Sequence, residues 1–169
     1  PATAAPADTL ILLDTSAGTT AAFGDRSIYA ASAAALGPIA RDLGAGGQQV
    51  ALWNYSSPLN PGVTQGWRRN VNFSDGQQAA DAVLRFGTGG VPQTRSALVA
   101  ALANAADQSR ATGEPARVLL VTSGTARDMD DAAFTQAFTD AIGDADVSVD
   151  VVHAGGGEVD GVPAGLTGH

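Results

Sequence analysis

Three short segments of this chain place acids and hydroxyls where hard-oxygen chemistry could occur. Leu10-Ile11-Leu12-Leu13 runs into Asp14-Thr15-Ser16-Ala17-Gly18, so an apolar strand delivers a carboxylate, then a hydroxyl two residues on, into a glycine-containing loop. Alternation along an extended backbone lets Asp14 and Ser16 point the same way, and open α/β sheets bind ligands at their strand ends. Thr94 follows Gly89-Gly90, and Thr122-Ser123-Gly124 follows the buried run Val118-Leu119-Leu120-Val121. The alternative role for Asp14 taken alone is a cap on the turn that follows it.

The elements that must position these residues are legible from apolar periodicity. Strands are expected at 9–13, 49–55, 67–73, 117–122 and 147–153, with the third at an edge. Helical spacing covers 27–43, with Ile28, Ala31, Ala35, Ile39 and Leu43 towards one face and a kink at Gly37-Pro38, and it ends at the glycines of 44–47. Ser74 or Asp75 caps a helix ending near Phe86; further helices run from Thr94 to about Arg110 and over 130–142, the last carrying Phe134 and Phe138 one turn apart. Strands alternating with helices imply an α/β doubly wound, mostly parallel sheet with helices on both faces.

Composition narrows the function. A formal charge of −8 argues against nucleic acid or an anionic membrane surface as partner, since both require a basic patch. All nine basic residues are Arg, and Arg68-Arg69 is the only adjacent basic pair. This Arg usage, with abundant Ala, Gly, Val and Asp, points to a GC-rich bacterial source. The lack of Cys removes disulfides, zinc-thiolate sites and thiol nucleophiles together. No apolar run approaches the roughly 20 residues of a spanning helix, so no direct membrane insertion is expected. The Pro/Ala/Thr stretch 1–7 reads as the end of a linker in a larger chain, 8–154 as one domain, and 155–169 as a Gly-rich tail.

Together the three junctions resemble the von Willebrand factor A domain, over nearly the whole chain from Asp8 to about His153. That family's metal-ion-dependent adhesion site uses an Asp-x-Ser-x-Ser loop after the first strand, a Thr after a Gly-Gly turn, and an Asp in a Thr-Asp-Gly turn after the fourth. The resemblance assigns ligand binding to Asp14, Ser16, Thr94 and Ser123, and ion ligation to Asp14, Ser16 and Thr94. Gly18 stands where the second Ser should be and Ser123 where the second Asp should be. A divalent ion wanting about six oxygens has thus lost one hydroxyl and one carboxylate, so Mg, Mn or Ca is expected to bind weakly or not at all. Thr15, Thr19, Thr20, Asp128 and water are the available substitutes. The family's last strand and helix are not evident.

The resemblance implies a non-enzymatic binding module that presents the C-terminal edge of its sheet to a protein or cell-envelope partner, outside the cytoplasm. A structural or scaffolding domain with a vestigial site is the second reading. A haloacid-dehalogenase-like phosphatase is the third, mimicked by Asp14 and by Thr122 or Ser123, but its acid two residues past the nucleophile is Ser16 here and its Lys is missing. His153 lacks a Gly-x-Ser-x-Gly elbow and reads as a strand-end histidine. Gly44-Ala45-Gly46-Gly47 precedes a strand instead of following one, and so reads as a helix cap, not a phosphate cradle. Trp53 and Trp67 read as core and edge packing, although Trp67 with Arg68 and Arg69 could border a carbohydrate or protein site. Asp128, Asp130 and Asp131 read as an electrostatic cap on the helix that follows.

Overall fold

The computed structural model describes residues 8–20, 22–23, 25–56, 67–86, 88–89, 94–122 and 130–153. Strands β1 (Asp8–Asp14), β4 (Val50–Tyr55), β5 (Trp67–Ser74), β6 (Ala116–Thr122) and β7 (Val147–His153) form a sheet in the order β5-β4-β1-β6-β7. β4, β1, β6 and β7 run parallel; β5 lies at one edge, as its polar alternation predicts, and runs antiparallel. Between β1 and helix α1 (Ile28–Ala45) lie a 3-10 turn, Ala17–Thr20, and a two-stranded ribbon of β2 (Ala22–Phe23) with β3 (Arg26–Ser27). Neither was legible in the sequence, because two-residue strands carry no period.

Side-chain alternation sorts the sheet into two cores. Leu10, Leu12, Ala51, Trp53, Val118 and Leu120 pack beneath α3 (Thr94–Thr112) and α4 (Asp131–Ile142). Ile11, Leu13, Val50, Leu52 and Val121 pack on the other face, with residues of α1 and α2 (Gly76–Ala82). Every residue of β1 and β4 is buried, which explains why their sequences are continuous apolar runs without alternation.

α1 buries a different stripe from the one its periodicity suggests. Ala33, Leu36, Gly37 and Ala40 face inwards, while Ala35 is exposed and Ile39 is 41% exposed. The helix runs on through Pro38 to Ala45, two residues beyond the expected Leu43. Its rotation follows from the α1–α2 crossing: a Cβ on Gly44 would lie 2.7 Å from the Gly76 nitrogen, and one on Gly76 would overlap the Ala40 carbonyl oxygen. Only hydrogen fits at both positions, so close backbone approach and not side-chain hydrophobicity sets the face. Ser27 caps α1 by accepting the Ala30 N–H, and Asp75 caps α2 by accepting those of Gln77 and Gln78. α2 ends at Ala82, four residues before the expected Phe86, and Val83–Arg85 continue as a turn.

Candidate functional site at the C-terminal edge of the sheet

The end of β1 is polar and dry. Asp14, Thr15 and Ser16 are all buried, and Asp14 Oδ1 accepts the Ser16 backbone N–H at 2.8 Å, folding the carboxylate back over its own loop. Thr19 closes the next turn, its hydroxyl donating to the Ser16 carbonyl at 2.7 Å. Thr20 does the same to Ala17 at 2.7 Å, at the surface.

Thr15 fixes the backbone between the two candidate ligands through three groups. Its N–H donates to the Tyr55 carbonyl (3.2 Å), its carbonyl accepts from Gly89 N–H (2.9 Å), and its hydroxyl accepts from Asn54 Nδ2 (2.9 Å). Asn54 Oδ1 in turn accepts from Asn70 Nδ2 at 2.6 Å. A chain of side-chain hydrogen bonds therefore runs from β5 across the end of β4 to the loop after β1. Asn54, an amide in an otherwise apolar strand, was the sequence signal for this network.

Thr94 opens α3 and is fully buried. At the other end of that helix, Gln108 Nε2 donates to Asp8 Oδ2 at 3.0 Å, where β1 begins. α3 thus runs antiparallel to β1 and carries Thr94 to the edge where Asp14 lies, while the Gly89–Thr15 bond brings the preceding turn to the same loop. Thr122 ends β6 beside β1, one residue beyond the Leu13–Val121 pair. Ser123, Gly124 and Asp128 lie outside the described residues. Asp14, Ser16 and Thr94 offer hard oxygen donors suited to a divalent cation, but only one carboxylate among them. Among the described residues no three His, Asp or Glu side chains cluster as a metal site.

Arg95, next to Thr94, was not singled out in the sequence, and its side chain is completely buried. It pairs with the exposed Asp131 at 2.7 Å, and its Cζ stands 5.0 Å from the centre of the Phe134 ring. This joins the N-terminal turns of α3 and α4. Asp130 caps α4 by accepting the Ala133 N–H at 2.9 Å, so of the acidic cluster Asp130 is the cap and Asp131 the ion-pair partner.

Tyr29 holds the turn that leads to Gly89. Its hydroxyl donates to the Val83 carbonyl at 2.6 Å and accepts the Phe86 N–H at 2.9 Å. Burial pushes its pKa above the ordinary tyrosine value, with the Phe86 N–H pulling the other way. Stability from the neutral hydroxyl is therefore complete below the unfolded-state pKa of about 10 and is lost as pH rises through the higher folded value. Tyr29→Phe is expected to cost about 1–2 kcal/mol at neutral pH. In urea melts, the gap between wild type and variant should narrow at strongly alkaline pH.

No family model matches the sequence, and no curated protein is similar to it. Solved structures are similar in fold. Proximal thread matrix protein 1 from the mussel byssus superposes with a TM-score of 0.67 at 15% identity, over 96% of this chain and 41% of that one. A von Willebrand factor type A protein from Catenulispora acidiphila gives 0.63 at 14% identity, over 98% of this chain and 37% of that one. The pilus adhesin SpaC from Lactobacillus rhamnosus GG gives 0.53 at 20% identity, over 70% of this chain and 15% of that one. This chain thus spans well under half the length of these structures. Its strand order, its single antiparallel edge strand and these superpositions give it a von Willebrand factor A-like fold.

Proposed function

We propose that this chain is a non-enzymatic adhesion-type binding module that meets a protein or cell-envelope partner through the C-terminal edge of its sheet. Residues 8–154 form the module, in an extracytoplasmic setting at the cell envelope. The observation that carries this reading is a buried acid and buried hydroxyls at one strand end, held by the Thr15 network, in a fold shared with a pilus adhesin and a byssus matrix protein.

In this reading Asp14, Ser16, Thr94 and Ser123 form the ligand-binding set, and a divalent ion at Asp14, Ser16 and Thr94 is weakly held. When bound, the ion would supply an open coordination position for a carboxylate of the partner. Calorimetric titration with magnesium, manganese and calcium is expected to give dissociation constants weaker than about 0.1 mM. Gly18→Ser combined with Ser123→Asp restores one hydroxyl and one charge, and should tighten binding at least about tenfold. Ion binding that survives Asp14→Ala unchanged would place it elsewhere and remove the assignment.

A further inference from the structure

β5 runs antiparallel, so its first residues arrive at the same sheet edge as the end of β1: Trp67 pairs with Tyr55, Arg68 with Asn54 and Arg69 with Trp53. The only adjacent basic pair in a chain of charge −8 is thereby brought beside the candidate site. Both arginines are exposed, and β5 is the outer strand. Arg69 is held with its Cζ 5.0 Å from the centre of the Trp53 ring, on the α3 side of the sheet. Arg68, one residue earlier, projects to the opposite side by strand alternation. Asn70 hydrogen-bonds the Arg68 carbonyl at 3.0 Å and Asn54 at 2.6 Å, tying the arginine backbone to the network that ends on Thr15.

We propose that Arg68 and Arg69 form the recognition point for an acidic segment of the partner protein, taking its carboxylates directly on their guanidinium groups without an intervening metal ion. The proposal rests on the reading of this sheet edge as the binding surface, and names the partner's chemistry. Charge complementarity selects the occupant. Two planar guanidiniums, one directed to each side of a strand edge, match carboxylates bidentately. A long polyanion such as a membrane or nucleic acid would meet the acidic remainder of the surface, whereas a short acidic segment engages only this corner. With one carboxylate left among the candidate ion ligands, carboxylate capture through a cation is weakened, and the arginine pair supplies the missing positive charge.

The test is fluorescence anisotropy of a labelled ten-residue peptide of alternating Asp and Ser, with the whole chain, at low ionic strength. Wild type should bind in a salt-dependent manner, and Arg68→Gln with Arg69→Gln should weaken binding at least about tenfold. Arg68→Gln alone leaves the Arg69–Trp53 contact intact and should still cost about threefold or more, so a folding defect at Trp53 cannot account for the loss. Arg41→Gln with Arg85→Gln removes the same charge elsewhere, and this control and added EDTA should each leave binding within about twofold. Absence of peptide binding, retention in the double variant, or binding to phosphatidylglycerol vesicles in place of the peptide would each overturn the proposal. Loss of peptide binding in EDTA would also overturn it while favouring capture through a cation, so the two readings fail separately.

Discussion

Gly76→Ala is expected to destabilise the protein by at least about 3 kcal/mol, towards the upper end of the range for overpacking. The added methyl would overlap the carbonyl oxygen of Ala40, in the middle of α1. Both colliding groups are backbone, so no rotamer change relieves the clash. The helices must separate, which loosens Ala79, Ala80 and Val83 from the core they share with Leu36 and Leu52. Gly47→Ala is the informative contrast: its φ is +89° but a Cβ there meets nothing within 4 Å, so only backbone strain of about 1–2 kcal/mol applies. Urea denaturation of both variants measures the difference. A loss at Gly76 no greater than that at Gly47 would mean that α1 and α2 do not approach this closely.

Phe134→Ala is expected to cost about 3–5 kcal/mol. The ring is fully buried, meets Phe138 edge to face at 6.0 Å, and underlies the buried guanidinium of Arg95. Truncation leaves a cavity beside the buried guanidinium of Arg95, which is paired with Asp131. Because Arg95 adjoins Thr94, the loss should also loosen the first turn of α3. A double-mutant cycle with Arg95→Met should return a coupling of about 1 kcal/mol or more. Strict additivity would show that the guanidinium and the ring do not depend on each other.

The two glycine and phenylalanine positions mark where sequence reasoning stopped and packing took over. The apolar runs of β1, β4 and β6 were legible because a parallel sheet covered on both faces demands continuous hydrophobicity, and the edge strand Val147–His153 was bounded as found. The face of α1 was not. In a helix where Ala occurs on every side, hydrophobic contrast is too small to define a stripe, and the inward face is chosen by which positions lack a side chain. The order and spacing of Asp14, Ser16 and Thr94 were legible, because strand ends and helix starts leave local signals. The hydrogen bonds of Thr15 to Tyr55, Asn54 and Gly89 join residues distant in sequence, and the lone amide of Asn54 in an apolar strand is the one local signal of them. The burial of Arg95 was likewise hidden, since its partners Asp131 and Phe134 belong to another helix.

We propose the C-terminal edge of the sheet, at the end of β1, as the binding surface. Paramagnetic broadening of backbone amide resonances by dilute manganese reads it most directly, because millimolar affinity is sufficient for the effect to be seen. The account predicts that broadening is strongest at Asp14, Thr15, Ser16, Gly89 and Thr94, extends to Thr122, and disappears from all of them together in Asp14→Ala. Broadening centred on surface carboxylates such as Asp75, Asp107 or Asp140, unchanged in Asp14→Ala, would contradict it.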